Sequence, residues 1–216
     1  MTPTSRTPST PRRGSWCQTF TGRMSWPCDP SPEDICIEDV AHSLSLQCRF
    51  AGHCRVFYSV AEHCVRVSWI TREPLGGLMH DGQESYLVDV PRPIKPHLDG
   101  YGELEYDLML VVEAWSGLDN GACSSPDVKH ADAVLLTTEA RDLMAPPPMP
   151  WESRAEPLPG RIRPWGWRQA EVRFLARYYE LRGERSWRLR AIRANPALVW
   201  GFLLWFCHAL VWGRRS

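Results

Sequence analysis

Residues 77–95 read GLMHDGQESYLVDVPRPIK and concentrate ionisable side chains within a few turns of chain. His80 and Asp81 are adjacent, Glu84 follows three residues later, and Asp89 comes just before a Pro-Arg-Pro turn. A solvated helix end would explain these residues without any chemistry. Imidazole and carboxylate groups together also suit a divalent transition metal. The alternative interpretation is therefore a metal site that cleaves phosphate esters.

Two more candidate ligands, His63 and Asp132, lie on other predicted helices. Neighbouring residues on a helix point about 100° apart. His80 and Asp81 can therefore reach one ion only where several helices meet. A single helical histidine is more often a satisfied buried residue than a ligand. The residues alone leave both interpretations open.

The elements that must position these groups are predicted to be helices. Ser59, with Glu62 three residues later, forms a capping-box pattern and predicts a helix from there to about Ile70. Apolar periodicity and proline breaks predict the other helices over residues 36–50, 78–87, 102–115, 127–144 and 167–182. The sequence shows no β-hairpin signal and no glycine-rich phosphate loop. The predicted fold class is all-α.

Composition and charge divide the chain into three parts. Residues 1–16 are rich in Pro, Ser, Thr and Arg and are predicted to be disordered, residues 17–182 form one domain, and residues 183–216 are a basic and apolar extension. Residues 1–150 carry 12 basic and 20 acidic groups, which argues against a nucleic-acid groove. Eight cysteines without a CxxC pair or an apolar leader indicate reduced thiols in a cytoplasmic protein.

Residues 197–212 read ALVWGFLLWFCHALVW and are flanked by arginines. As a helix this segment would span about 24 Å, less than the roughly 30 Å of a bilayer core. Three interpretations stay open. It is a short tail anchor that contacts the membrane, a helix that docks on a partner, or a segment not shaped by the fold.

The stretch from about Trp26 to Met144 resembles the HD-domain phosphohydrolase superfamily, whose ligand pattern is H…HD…D. It is most similar to the 5′-deoxynucleotidase branch and to related phage and prophage proteins. The family text HDxxExxxxDxPxPxK matches HDGQESYLVDVPRPIK at every specified position. Gly82 stands where alanine is common, which predicts a helix looser by about 1 kcal/mol.

The resemblance implies an HD-domain helical bundle whose core holds one divalent metal ion (Co, Mn, Zn, Mg or Fe), with a second ion arriving with the substrate phosphates. Its ligands would be His63, His80, Asp81 and Asp132. Glu84 would orient the attacking water, deprotonate it or protonate the leaving oxygen, and Asp89 would contact the sugar 3′-hydroxyl. A helix-end cap is the alternative role for Asp89.

The substrate contacts expected from the resemblance and from phosphate charge are mainly cationic. Arg49 belongs to an Arg-aromatic pair that precedes the first metal histidine in the family, and Arg92 and Lys95 lie in the turn beside the site. His53 would be a further phosphate contact. Trp26 and Phe50 are candidates to stack on a base, and a place in the apolar core is the alternative for both. For Arg92 and Lys95, plain surface charge is the alternative.

The implied activity is release of phosphate from deoxynucleoside monophosphates by a homo-oligomer. Removal of triphosphate from a dNTP, as in phage-type members, is the close alternative. A nucleotide-binding regulatory protein without turnover is the alternative from another class.

Overall fold

The computed structural model describes residues 11–151, 153 and 155–184, and its architecture is mainly helical. One helix, α2 (Val60–Ile70), lies against four others and forms the centre of the domain. The helices are α1 (Ile37–Leu46), α2 (Val60–Ile70), α3 (Pro74–Met79), α4 (Glu84–Leu87), α5 (Tyr101–Ser116), α6 (Pro126–Leu143) and α7 (Trp167–Leu181). The expected extension over residues 183–216 lies outside the described residues beyond Glu184, as does most of the expected disordered N-terminus.

Helix α2 begins as the sequence predicts. The side chain of Ser59 accepts a hydrogen bond from the backbone N–H of Glu62, 3.1 Å away, and satisfies one donor of the first turn. The Glu62 carboxylate does not complete the capping box, because it is turned to other partners. Most of α2 is buried, and it packs against α1, α3, α6 and α7. A residue on α2 can therefore reach side chains from several helices.

The helix predicted over residues 78–87 is wrong, because the chain breaks between α3 and α4 at residues 80–83. Gly82 lies in this break and not within a helix. A Cβ at Gly82 would lie 2.9 Å from the carbonyl oxygen of Met79 and 3.0 Å from a methyl group of Val112. The expected gain from alanine at this position is therefore wrong as well. The break lets His80 and Asp81 project from a tight turn.

The all-α expectation is corrected by a small antiparallel hairpin. Strand β1 (Cys17–Gln18) pairs with β2 (Met24–Ser25), and Gly22 takes a φ of 82° in the connecting turn. Each strand has two residues, too few for a recognisable alternation of apolar and polar side chains. Asp39 on α1 anchors this hairpin by accepting hydrogen bonds from the N–H and hydroxyl of Thr21.

After α6 the chain returns along α6 and α2 before α7 begins. Asp142 accepts hydrogen bonds from Arg161 and from the backbone N–H of Ile162, both at 2.8 Å. Further along the chain, the backbone N–H of Trp165 donates a hydrogen bond to the Glu62 carboxylate, with 2.6 Å between N and Oε2. These two carboxylates fix the segment that leads into α7, which in turn covers α1 and α2.

Among the described residues, no helix is long and apolar enough to cross a bilayer. The segment 197–212, for which membrane contact was one interpretation, lies outside them.

Candidate metal centre

The four candidate ligands selected from the sequence lie close together, contributed by α2, the α3–α4 turn and α6. The Nε2 atom of His63 lies 3.2 Å from Nε2 of His80 and 3.1 Å from Oδ1 of Asp132. Asp81 joins them with Oδ1 3.3 Å from Nε2 of His80 and Oδ2 3.8 Å from Nε2 of His63. His63, His80 and Asp132 form one group that could hold a metal ion, and Asp81 forms a second such group with His80 and Cys64. Their role as ligands stays a prediction.

The donor set and its spacing fit a transition metal. Ligand atoms about 2.1 Å from one ion, at tetrahedral or octahedral angles, are about 3.0–3.4 Å apart. Three of the four distances given above fall in this range. The Nδ1 atoms of both imidazoles are already engaged, that of His63 with Glu139 at 2.7 Å and that of His80 with the carbonyl of Gly77 at 2.9 Å. Those contacts orient both Nε2 atoms towards the cluster, as partners of metal-bound histidines do.

Burial and neighbouring charges shift the pKa values of residues in the cluster. Burial and the nearby Arg49 lower the pKa of His63, but the Glu139 and Asp132 carboxylates outweigh them and raise the pKa to about 9. Burial also acts on Asp132, yet the hydrogen bond and charge of His63 hold its pKa well below the ordinary value. The carboxylates beside His63 therefore favour its protonated, positively charged form. A metal ion would replace that proton.

Arg49 is held against the cluster by a closed loop. Its backbone N–H donates to the carbonyl of Tyr58, and Cys48 and Ser59 form an isolated antiparallel bridge. The guanidinium lies 3.7 Å from Asp81 and 3.2 Å from Glu139. Burial would lower the pKa of Arg49, but Glu139 and Asp81 raise it. The arginine is permanently charged, and its Nε is buried without a hydrogen-bond partner among the described residues.

Glu84 stands at the start of α4, which α1 holds in place. Gln47 donates to the carbonyl of Glu84 at 3.0 Å, and Ser43 donates to that of Ser85, also at 3.0 Å. The Oε2 atom of Glu84 is buried and, within the described residues, has no hydrogen-bond partner. Burial first, and then the charges of Asp81 and Asp89, raise the pKa of Glu84 well above its ordinary value. Glu84 therefore has a free carboxyl oxygen available for a ligand.

Asp89 follows a strained residue. Val88 has a φ of 67° and a ψ of 142°, a conformation that a β-branched side chain rarely adopts. Its carbonyl accepts a hydrogen bond from the hydroxyl of Tyr101 at 2.7 Å. Beyond it, Lys95 lies 3.9 Å from Asp89 and 2.6 Å from Glu105. The charges of Asp89 and Lys95 both act on Glu84, and Lys95 already has a carboxylate partner.

Three other predicted contacts are not drawn into the cluster. Arg92 and His53 have exposed side chains. Trp26 lies under the guanidinium of Arg12, whose Cζ is 5.2 Å from the ring centroid, and Arg12 pairs with Asp34. No hydrogen bond, ion pair or ring contact between described residues joins these three side chains to the four candidate ligands. Their assignment to the substrate stays a prediction.

Two residues of the centre were not selected from the sequence. Glu139 is fully buried and binds both His63 and Arg49. It lies seven residues after Asp132, two helical turns along the same face of α6, and that spacing is the signal that could have found it. Cys64 lies next to His63, and its buried thiol is 3.9 Å from Asp81. Burial raises the pKa of this thiol well above its ordinary value, so it remains protonated.

The chain is similar to two bacterial proteins. It is 40% identical over 131 residues to the uncharacterized protein YfdR of Escherichia coli strain K12, an alignment that covers 60% of this chain and 72% of YfdR. It is 33% identical over 144 residues to the uncharacterized protein RCAP_rcc00048 of Rhodobacter capsulatus, covering 60% of this chain and 73% of that protein. No protein-family model matches the chain.

Proposed function

The chain belongs to the same family as the Escherichia coli protein YfdR, and we propose that it is a metal-dependent phosphohydrolase with an HD-domain fold that acts on deoxynucleotides. The observation that carries this proposal is the convergence of Asp81 and Asp132 on His63 and His80. Nε2 of His63 lies 3.1–3.8 Å from the other three side chains, and Nε2 of His80 lies 3.3 Å from Asp81. The resemblance to HD-domain 5′-deoxynucleotidases supplies the reaction class, release of phosphate from a deoxynucleoside 5′-monophosphate.

In this reaction a water oxygen bonds to phosphorus, the bond from phosphorus to the 5′-oxygen breaks, and a proton passes to the leaving oxygen. A divalent ion held by the four ligands would lower the pKa of water and offset phosphate charge. Glu84 has a free buried oxygen to take or give the proton. Arg49 presents a permanent positive charge to the phosphate oxygens.

Asp89 accounts for the choice of a deoxynucleotide. In the family that the chain resembles, the carboxylate at this position contacts the 3′-hydroxyl and disfavours a 2′-hydroxyl, and we expect Asp89 to act in the same way. The strained Val88 and its Tyr101 hydrogen bond fix the backbone from which Asp89 projects. Backbone strain of this kind occurs mainly where function requires a particular geometry.

The test is phosphate release from a panel of deoxynucleoside and ribonucleoside mono- and triphosphates, with Co²⁺, Mn²⁺, Mg²⁺, Zn²⁺ or Fe²⁺ supplied to purified metal-free protein. We expect release of inorganic phosphate from the deoxynucleoside monophosphates and none after Glu84→Gln. If the protein instead releases triphosphate from dNTPs and no phosphate from the monophosphates, the substrate is a deoxynucleoside triphosphate. Nucleotide binding without turnover, unchanged by Glu84→Gln, would contradict the proposed phosphohydrolase activity and favour a regulatory nucleotide-binding protein.

A further inference from the structure

An aromatic pair lies next to Arg49. The Cζ atom of Arg49 is 5.4 Å from the ring centroid of Phe50. The rings of Phe50 and Trp151 meet edge to face, with centroids 5.8 Å apart and an interplanar angle of 73°. Contacts therefore run without interruption from Asp81 through Arg49 and Phe50 to Trp151.

The backbone beneath this pair is strained. Phe50 and Ala51 have φ values of 55° and 50°, so two successive residues with side chains adopt the left-handed conformation. Hydrogen bonds within the loop hold them, from the N–H of Gly52 to the carbonyl of Arg49 and from the N–H of His53 to that of Phe50. This conformation costs energy and keeps the Phe50 ring between Arg49 and Trp151.

Trp151 itself remains accessible. It is 37% exposed, although the indole is the largest apolar side chain and its apolar faces favour burial. It ends the proline-rich stretch APPPMPW, which follows α6, the helix that carries Asp132 and Glu139. Proline fixes the backbone φ angle, so this stretch presents the ring at a restricted position.

We propose that Trp151, supported by Phe50, is the stacking surface for the base of the nucleotide, and so selects nucleotides over sugar phosphates that lack a base. This inference rests on the proposed function, because Arg49 must hold the phosphate for the base to extend towards Trp151. Stacking is available to every base, since each has a flat π face. The surface therefore predicts that the enzyme distinguishes bases weakly and the presence of a base strongly.

The experiment compares 2′-deoxyadenosine 5′-monophosphate with 2-deoxyribose 5-phosphate, which lacks the base, in metal-loaded full-length protein. Trp151→Ala should raise KM for the nucleotide about 5- to 150-fold, the equivalent of about 1–3 kcal/mol, and leave the values for the sugar phosphate unchanged. Trp151→Phe keeps a π face and should restore most of the loss.

Trp69 offers a matched control. It is an exposed tryptophan whose ring meets Trp165 edge to face, with the same centroid distance of 5.8 Å. Trp69→Ala should alter neither substrate, which separates a stacking role from a general effect of removing a surface tryptophan.

Different results separate failure of this inference from failure of the proposed function. Suppose that wild-type protein hydrolyses the nucleotide and that Trp151→Ala affects both substrates equally or neither. The proposal that Trp151 stacks on the base is then wrong, whereas the proposed phosphohydrolase activity is supported. If wild-type protein releases no phosphate, the proposed function is wrong, and calorimetric titration with the same nucleotide decides. Weaker binding to Trp151→Ala would then support the surface, whereas equal or absent binding would overturn it.

Discussion

Glu62 and His63 are neighbours on α2, both completely buried, yet the surroundings of the two side chains differ. Glu62 has a full set of donors, with Arg66 at 2.9 and 2.7 Å and the backbone N–H of Trp165 at 2.6 Å. His63 also has a fixed partner on one side, Glu139, but its other nitrogen faces further acceptor atoms.

This contrast separates a buried group with matched partners from a buried cluster that could hold an ion. A buried carboxylate whose acceptors are matched by donors needs no further partner. A buried cluster in which nitrogen and oxygen acceptors face one another could hold a cation. Glu62 and Glu139, both buried glutamates that pair with an arginine, therefore allow the two kinds of burial to be compared directly.

The largest expected effect comes from removing a ligand. His80→Ala and Asp81→Asn should each reduce phosphohydrolase activity to background, because the ion would lose one of its four protein ligands. Metal content of the purified variants, measured by inductively coupled plasma mass spectrometry, should fall well below that of the wild type. A full metal complement in either variant would contradict the assignment of the centre.

Glu139→Gln should weaken metal binding about 10- to 100-fold, because the neutral amide no longer fixes the orientation and basicity of His63. Competition with a chromogenic chelator at constant pH measures the affinity. The folded state should remain, since the amide side chain retains an oxygen that accepts the hydrogen bond from Nδ1 of His63. Unchanged affinity would show that Glu139 serves the fold alone.

Glu62→Gln is the matched variant on the structural side of α2. It should lower the free energy of unfolding by about 1–3 kcal/mol, since Arg66 or Trp165 loses a buried acceptor. Chelator competition should give the wild-type metal affinity, and urea denaturation gives the stability. If this variant lost metal as readily as Glu139→Gln, the contrast between the two faces of α2 would not hold.

The smallest effect concerns the anchor of the returning segment. Hydrogen bonds from Arg141, and then from Ile162 and Arg161, lower the pKa of Asp142 to about 2, although burial acts in the opposite direction. A carboxylate whose pKa is lowered by folding stabilises the folded state at pH values above its ordinary pKa near 3.8. That stability is lost as the pH falls towards 2.

Because its arginine partners are exposed and screened by solvent, we expect Asp142→Asn to cost only about 1 kcal/mol at pH 7. Urea midpoints of wild type and variant should converge as the pH is lowered from 5 to about 2. A difference that stays constant over this range would exclude the Asp142 carboxylate as its cause.

The sequence predicts the candidate ligands and several of the helices that carry them. Ser59 marks the start of α2 because an N-cap is a local feature, decided within one turn. The proline after Val90 and the apolar spacing of α5, α6 and α7 are equally local. The mainly helical architecture is confirmed for this reason.

The features that sequence reasoning misses depend on contacts between distant segments. The break at Gly82 arises because Met79 and Val112 leave no space for a side chain, and Val112 lies 30 residues away. From the sequence alone, Glu139 is expected to be a polar residue on an exposed helix face. Its burial depends on contacts with Arg49 and His63, which lie far away in the sequence. The capping-box interpretation of Glu62 fails because Trp165, about 100 residues further on, competes for its carboxylate.

Three glycines surround the His80–Asp81 turn, and each lies against other atoms. A Cβ at Gly76 would be 2.9 Å from the carbonyl oxygen of Ala122, one at Gly77 would be 2.5 Å from Thr71, and one at Gly82 would meet Met79. In a saturation mutagenesis library these positions should be as intolerant as the histidines, although glycine contributes no chemistry. We therefore expect inactivating substitutions at these glycines, although they contact neither the proposed ion nor the proposed nucleotide. Substitutions that compensate for them should lie in α5 and in the loop before α6, which provide some of the contacting atoms.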